Sequence, residues 1–263
     1  MCTMTWFVKE DGYELFFNRD ERKSRRRAEL PTSQINDGVQ YISPTDADAG
    51  GTWIASNQYG VTVCLLNHYQ FEQIETYKQW TSRGEMVRSF ATVATISEAD
   101  KKFNALELDD YRAFRMFIID HQGNNRLCVW DGHTSRIEHN VTTPKSSSSV
   151  DARRVKSLRK QLFADLNLAE SKSTDDYIKY HASHSPSRSK ESVCMHRDDA
   201  NTVSFSHVSV SSQGVSFRYA DGSPCEAELG PALAMRFVEK TESCESPTHS
   251  IESVSAAVAS ATK

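Results

Sequence analysis

The chain of 263 residues is 38% hydrophobic and 25% charged, the composition of a globular protein long enough to bury one sizeable core. Its net charge of -4 gives no general attraction to nucleic acid or anionic lipid, so we expect no nucleic-acid partner. No stretch approaches the roughly 20 apolar residues of a membrane span, and Lys9 and Glu10 leave no room for a signal-peptide apolar region, which predicts a cytoplasmic protein without a membrane span.

Two β-hairpins are predicted before any helix. The segments "TMTWFV" and "YELFF" flank "KEDG", in which Asp11-Gly12 is favoured as a two-residue turn because both residues tolerate positive φ. A polar loop follows. The segments "GTWIAS" and "VTVCLL" then bracket "NQYG", with Asn57 and Gly60 as turn residues.

Helices and a third hairpin are predicted next. Between about residues 70 and 112 we expect two helices, because Met86, Val87 and Phe90 recur at helical spacing and Ser97 precedes acidic residues in "ISEADKKFNALELDDY". The strands "AFRMFIID" and "RLCVWD" flank "HQGNN" as a hairpin that "TSRIEH" extends.

A further helix is predicted over "SSSSVDARRVKSLRKQLFADL". Ser148 and Asp151 are spaced as a capping box, with Asp in the usual Glu/Gln position. Four apolar residues fall on one face of this helix: Val155, Leu158, Leu162 and Leu166.

The remaining segments complete a layered fold. Residues 170–192 are rich in Ser, His and Lys and predict a flexible surface loop, and "NTVSFSHVSV" and "GVSFRYA" predict two final strands. Residues 1–240 are expected to form one domain, and residues 241–263 a disordered tail. The order of strand pairs and helices predicts an α+β fold, with two sheets packed face to face and helices outside them.

Cysteine spacing favours free thiols. The chain has six cysteines with no C-x-x-C pair and no short metal-ligand spacing. Cys64 and Cys128 lie in apolar runs, where cysteine usually acts as a small hydrophobic residue.

Cys2 is the exception, because its position allows a specific chemistry. If Met1 is removed, Cys2 carries a thiol and a free α-amine on one residue. An α-amine has an ordinary pKa of about 7.7 to 8.0, so it can accept the thiol proton without a histidine. The alternative is a small buried residue that begins a strand and has no chemistry.

The predicted hairpin register decides which charges lie beside Cys2. A two-residue Asp11-Gly12 turn places Cys2 opposite Glu21, with Arg19 diagonal to it on the same face. Arg19 would then favour the thiolate and could hold an anionic group of the substrate. A three-residue loop would instead bring Asn18 and Asp20 onto this face. Another alternative is that "NRDERKSRRR" ends the strand as a solvated, charged loop.

Several of these motifs resemble a known family. "MCT" at the start, "NRDE" after the first hairpin, "GGTWIASNQYG" and "SRG" resemble the NRDE family, also called the transport and Golgi organisation family, over most of residues 1–240. More distantly, "MCT" and "SNQYGVTVCLLN" are similar to the choloylglycine hydrolases and penicillin acylases of the N-terminal-nucleophile (Ntn) hydrolase superfamily. In those enzymes an Asn-x-x-Gly turn is followed ten residues after its Asn by Leu-Asn, the separation of Asn57 and Asn67 here.

The resemblance implies a four-layer αββα fold in which Cys2 attacks a carbonyl and its α-amine takes the proton. It implies that Asn67 donates a hydrogen bond to the oxyanion of the tetrahedral intermediate. The hydrolases carry Arg-Asn-x-Asp after the first hairpin, whereas this chain reads "FNRDE", so the cation stands at a different position. The candidate catalytic residues are Cys2, Arg19, Asp20 and Asn67, and the candidates for substrate binding are Asn18, Glu21, Asn57 and His196.

Two further sites are less well defined by the sequence. The second oxyanion asparagine of the hydrolases has no clear counterpart in "NVTTPKSSSS", where Asn140 or the serines from Ser146 are alternatives. "CMHRDDANTVSF" resembles a segment of bacterial NRDE proteins, so His196 either lines the pocket or lies in a solvated loop. The spacing of His181, His184 and His196 fits no closed metal site, so we expect no metal and no cofactor.

The sequence therefore favours hydrolysis or transfer of an acyl group from an amide or thioester through Cys2. The alternative is a non-enzymatic binding or trafficking protein that holds a small molecule in the same cleft, such as the haem or lipid handled by eukaryotic relatives of the resembled family. A third interpretation keeps the fold and makes Cys2 a lipidation or redox site.

Overall fold

The computed structural model describes residues 2–69 and 79–240. Within these residues the strands form two sheets in which every neighbouring pair is antiparallel. The first sheet contains, in spatial order, β10 (Lys145–Ser147), β1 (Cys2–Lys9), β2 (Gly12–Arg22), β11 (Ala200–Ser211), β12 (Gly214–Ala220) and β13 (Leu233–Met235). The second contains β3 (Glu29–Asn36), β4 (Val39–Thr45), β5 (Ile54–Asn57), β6 (Thr62–Asn67), β7 (Phe114–Ile119), β8 (Asn125–Trp130) and β9 (Ser135–His139).

The sheets pack face to face, because alternate residues of each strand point to opposite faces. The core between them joins Met4, Leu15 and Phe17 of the first sheet to Leu66 and Phe117 of the second. Their outer faces are covered by four helices: α1 (Arg83–Phe90), α2 (Ile96–Asn104), α3 (Ala152–Asp165) and α4 (Thr174–Ala182). This arrangement confirms the predicted αββα order.

The predicted helices between residues 70 and 112 are α1 and α2. Met86, Val87 and Phe90 are the buried residues of α1, as their spacing indicated. The cap of α2 is Thr95, whose side chain accepts a hydrogen bond from the backbone of Glu98. Residues 70–78 of this prediction, and the predicted tail over residues 241–263, lie outside the described residues.

The predicted polar loop after the first hairpin is wrong, because the chain forms β3 and β4 there. Asp37 and Gly38 form the turn, both with positive φ. Since β3 lies at the edge of its sheet and is largely exposed, its sequence "ELPTSQIN" is polar and does not show strand alternation.

The predicted flexible loop over residues 170–192 is also wrong in its first half, which forms α4. Ser173 caps this helix by accepting a hydrogen bond from the backbone of Asp176. The buried face consists of Tyr177, Tyr180 and His181. Because these three residues carry hydroxyl and imidazole groups, the sequence of the segment indicates a polar surface. In the structure their rings pack against Phe7, Phe16 and Phe163.

Helix α3 starts and packs differently from its prediction. Asp151 caps the helix by accepting from the backbone of Arg154, whereas the Ser148 hydroxyl contacts the backbone of Val150, so no capping box forms. The buried face is Val155, Arg159 and Phe163, and Leu166 is exposed. An arginine therefore occupies the centre of the face that the leucines were expected to provide.

Candidate active site

The position of Cys2 is set by the register of the first hairpin. Lys9 pairs with Gly12, so Glu10 and Asp11 form the turn and Cys2 pairs with Arg19. The predicted pairing of Cys2 with Glu21 is therefore wrong by two residues. A Cβ atom at Gly12 would clash with the carbonyl oxygen of Val210 on β11, so this first position of β2 requires glycine. Since a shift of two residues preserves the face, Arg19 still lies on the side of the thiol, directly opposite it.

Cys2 opens into a cleft of about 370 Å³. The cleft is lined by Arg19, Asp20, Glu21 and Asn67, so the structure brings Cys2 together with all three other predicted catalytic residues. Further charged and aromatic residues line it: Arg25, Asp46, Trp53, Trp80, Arg83 and Arg112. A polar ligand with an anionic group fits this lining better than an aliphatic chain does.

The half-buried Cys2 thiol is less acidic than an ordinary cysteine. Burial raises the pKa of this thiol, and the Asp20 carboxylate raises it further. The Arg19 charge and hydrogen bonding from the Asp20 backbone act in the opposite direction. A proton acceptor is therefore needed to generate the thiolate at neutral pH.

The backbone nitrogen of Cys2 has a defined partner. It donates a hydrogen bond of 2.9 Å to the Ser147 hydroxyl oxygen, in the pairing between β1 and β10. Ser147 is one of the serines from Ser146 onward that were considered as alternative oxyanion donors. In the structure its hydroxyl contacts the backbone nitrogen of Cys2. Asn140, the other alternative, lies exposed after β9 with a positive φ.

Arg19 is neutralised within the cleft. Its guanidinium lies 2.6 Å from Asp46 and 3.7 Å from Glu21, and 4.1 Å from the ring centre of Trp53. Arg25 binds the other carboxylate oxygen of Asp46, also at 2.6 Å. This network holds the Arg19 side chain against the wall of the cleft.

Asp20 lines the cleft, but its buried carboxylate is turned toward Thr202 of β11 and Arg159 of α3. Its Oδ1 accepts a 2.6 Å hydrogen bond from the Thr202 hydroxyl, and its Oδ2 lies 3.7 Å from Nη1 of Arg159. Burial raises the pKa of Asp20, while the Arg159 charge opposes that shift. Arg159 was missed in the sequence, where the only signal is a cation in the helical series Val155, Arg159, Phe163.

Asn67 ends β6 at the cleft. Its Nδ2 donates a 2.8 Å hydrogen bond to the hydroxyl of Tyr69. Because an amide nitrogen carries two N–H groups, this contact fixes the orientation of the side chain and uses one of them. The placement suits a donor toward a reacting carbonyl.

The other candidates for substrate binding have structural contacts. Asn57 does not line the cleft: its side chain accepts from the backbones of Tyr59 and Val61 and donates to the carbonyls of Ala91 and Val93. It therefore holds the β5–β6 turn against the end of α1.

Asn18 also points away from the cleft, toward the helical layer. Its Nδ2 donates to the carbonyls of His181 and Val193, and its Oδ1 contacts Nδ1 of His181 at 3.0 Å. His196 does not line the cleft either, but lies beside Cys194 and Cys225. Of the four residues predicted to bind substrate, only Glu21 reaches it.

The fold matches known structures. The C2A mutant of the conjugated bile acid hydrolase from Clostridium perfringens superposes with a TM-score of 0.53 at 10% identity, over 91% of this chain and 98% of that one. The Caenorhabditis elegans ortholog of N-acylethanolamine-hydrolyzing acid amidase superposes with a TM-score of 0.56 at 11% identity, over 79% of this chain and 92% of that one. The fold is thus that of the Ntn hydrolases.

The family follows from the sequence itself. The model of the family described as Transport and Golgi organisation 2 matches residues 1–215, and the chain belongs to this family. This confirms the resemblance that the opening motifs indicated. A search of curated proteins gave no match. In the described part of the chain, none of the helices is long and apolar enough to cross a membrane.

Proposed function

We propose that this protein hydrolyses or transfers an acyl group from an amide or thioester through Cys2, after removal of Met1. The observation that carries the proposal is the shared cleft of Cys2, Arg19 and Asn67 at the start of β1. The Ntn hydrolase fold supports it but does not by itself confer an activity. The substrate would be a polar acyl compound, and the cytoplasmic location expected from the sequence remains a prediction.

The reaction begins with the α-amine. Once Met1 is removed, the nitrogen that donates to Ser147 becomes this amine, and the serine hydroxyl can hold it beside the thiol. The amine takes the thiol proton, and the sulfur forms a bond to the carbonyl carbon. Asn67 donates to the resulting oxyanion, a type of contact worth about 2.7 to 4 kcal/mol in the barrier.

The tetrahedral intermediate then collapses to an acyl-cysteine thioester. The leaving amine or thiol departs with the proton held by the α-ammonium group. Water, or an acceptor in the case of transfer, attacks the thioester with the α-amine as base and restores the thiol. Arg19 and Glu21 line the cleft where polar groups of the acyl compound would bind.

A non-enzymatic ligand-binding role is the second candidate. It is favoured by the raised pKa of Cys2, because a carrier does not need a reactive thiolate. The ligand would be an anionic small molecule, with a charge of the kind that the carboxylates of haem or the headgroup of a lipid provide. Arg83 and Arg112 of the cleft would bind it, since Arg19 and Arg25 are paired with Asp46.

The experiment that separates these roles is the intact mass of the purified protein, before and after brief treatment with limiting iodoacetamide. We expect Met1 to be absent and Cys2 to be alkylated ahead of the other cysteines, as located by peptide mapping. In a screen of acyl amides and thioesters, Cys2→Ser should abolish turnover and retain ligand binding. Retention of Met1, or a Cys2 no more reactive than Cys225, would favour the carrier.

A further inference from the structure

A second cluster of reactive side chains lies away from the cleft. His184, Cys194 and His196 come from the segment between α4 and β11, and Cys225 comes from the segment after β12. Their ligand-type atoms all lie within 4.8 Å of one another. Cys194 is fully buried and the other three are partly buried.

Four of the six separations between ligand atoms in the cluster lie within about 0.4 Å of those in a tetrahedral zinc site. The Sγ atoms of Cys194 and Cys225 each lie 3.5 Å from Nε2 of His196. The two Sγ atoms are 3.4 Å apart, and Nε2 of His184 is 3.3 Å from Nε2 of His196. Zinc bonds of about 2.3 Å to sulfur and 2.0–2.1 Å to nitrogen imply tetrahedral separations of about 3.8 Å (S–S), 3.6 Å (S–N) and 3.4 Å (N–N).

The backbone holds the cluster in place. The backbone nitrogen of Cys194 donates to the carbonyl of Ser183, and that of His196 donates to the carbonyl of Ser189. The 3.5 Å distance between Sγ of Cys194 and Nε2 of His196 shows that these two side chains reach the same point. A turn in which the backbone of Glu226 donates to the carbonyl of Ser223 presents Cys225 to them.

We propose that His184, Cys194, His196 and Cys225 bind one Zn²⁺ ion as a structural site. Four protein ligands leave no open position for a substrate, and two thiolates balance the charge of the ion. A set of two sulfur and two nitrogen donors in tetrahedral geometry selects zinc over Mg²⁺ or Ca²⁺, which take oxygen ligands. The expectation of no metal rested on the spacing of histidines and cysteines along the chain and on a segment expected to be a flexible loop, and neither argument brings Cys225 to the other three residues.

One contact must change when the ion binds. Nη2 of Arg188 lies 3.4 Å from Nδ1 of His196. With Nε2 on the metal, Nδ1 carries the proton, so both groups are donors and they separate. Arg188 keeps its ion pair with Glu226, the residue next to Cys225.

The ion would tie two distant parts of the chain together behind the cleft. Met195, between the ligands Cys194 and His196, donates its backbone N–H to the Thr202 hydroxyl at 2.8 Å. That hydroxyl in turn donates to Asp20. The zinc site therefore supports the segment that positions Asp20, without contacting the cleft itself.

The test is the metal content of the full-length protein. The protein is purified without chelators, and its zinc is measured by inductively coupled plasma mass spectrometry. We expect about one zinc per chain, falling to background in Cys225→Ser and His196→Asn. Cys128→Ser is the matched control, because this buried cysteine lies on β8 outside the cluster and should leave the zinc content unchanged. Circular dichroism checks that each variant is folded.

A second measurement needs no variant. Cobalt added to protein stripped of metal should give the visible d–d and thiolate charge-transfer absorption of tetrahedral coordination, and X-ray absorption of the zinc protein should show two sulfur and two nitrogen ligands. The proposal is overturned if the stripped protein binds neither zinc nor cobalt stoichiometrically, or if Cys225→Ser retains full zinc. A native disulfide between Cys194 and Cys225 would also overturn it and make the pair a redox couple.

Discussion

Arg159 of α3 lies 3.7 Å from the carboxylate of Asp20 on β2, and both side chains are almost fully buried. The guanidinium also donates to the hydroxyl of Thr3 and to the carbonyl of Ser192. It therefore joins the helical layer to the strand that begins with Cys2. Asp20 is the neighbour of Arg19 in the sequence, and both residues line the cleft. The buried Arg159–Asp20 pair therefore connects the candidate active site to α3.

Replacing Arg159 by Met should destabilise the protein strongly. The change leaves the buried Asp20 without its cation, which typically costs about 3–5 kcal/mol. Urea unfolding at pH 7 measures the loss, and adding Asp20→Asn to the variant should recover part of it. Arg154→Met is the control, since this exposed arginine of the same helix pairs with Glu191 and should cost at most about 1 kcal/mol. Equal costs for the two variants would contradict the assignment.

Acid should destabilise the protein through His181. Burial lowers the pKa of His181 to about 3, and Nδ1 of the neutral ring donates to Asn18 while Nε2 accepts from the Thr5 hydroxyl. The unfolded chain binds this proton near pH 6.5 and the folded chain does not. Stability is therefore full above pH 6.5 and falls as the pH drops from there toward 3, by about 2–3 kcal/mol at pH 4.5.

The measurement is the free energy of unfolding in urea between pH 7 and 4.5. His181→Gln should lower the stability at pH 7 and flatten its dependence on pH. His139→Gln, at an exposed position, should leave the slope unchanged. An unchanged slope in His181→Gln would assign the acid sensitivity to another group, such as His68, whose pKa burial lowers to about 4.

Substitution of Asn57 should mainly lower stability, whereas substitution of Asn67 should mainly lower activity. Asn57→Ala removes a side chain with four internal hydrogen bonds, so we expect a loss of about 2–5 kcal/mol in the free energy of unfolding. Asn67→Ala removes one contact, with Tyr69, and should cost about 1 kcal/mol. With an acyl substrate identified, Asn67→Ala should lower kcat by about 10²–10³. A stable Asn67→Ala protein with full kcat would remove this residue from the mechanism.

Arg19→Gln should make the Cys2 thiol less reactive. The Arg19 charge lowers the thiol pKa, so its loss leaves less thiolate at a given pH. Arg19 is a minor contributor beside burial, so we expect alkylation by iodoacetamide to slow severalfold at pH 8, less than the tenfold of a full pKa unit. Arg126→Gln removes a cation of β8 that pairs with Asp100 of α2, and it should not change the rate. The pH–rate profile distinguishes a raised pKa from steric blocking.

The sequence predicted what depends on local pattern. The first hairpin was placed well enough to bring Arg19 to the face of Cys2, because an error of two residues leaves the face unchanged. The layer order followed from the alternation of strand pairs and helices. Asn67 was singled out because its separation from Asn57 matches that in the resembled hydrolases, and of these two asparagines only Asn67 lines the cleft.

What the sequence did not predict depends on contacts between distant segments. Arg159 and Asp20 are far apart in the chain, and a cation in an apolar helical series normally indicates an exposed position. Cys225 is likewise remote from Cys194 and His196, so no spacing rule joins them. The turn of the first hairpin was misplaced because Gly12, whose positive φ marked it as a turn residue, already pairs with Lys9 as the first residue of β2.

The hydrogen bond between Cys2 and Ser147 bears on when Met1 can be removed, because it forms only after Ser147 has been synthesised. In the folded protein the β1 strand is paired on both sides, with Arg19 and with Ser147, so residue 2 is no longer an open chain end. A ribosome adding roughly 5–20 residues per second reaches Ser147 about 7–30 s after Cys2. We therefore expect the proposed excision of Met1 to finish during synthesis. A chain that keeps Met1 would have an amide nitrogen at Cys2 in place of the α-amine that the proposed mechanism requires.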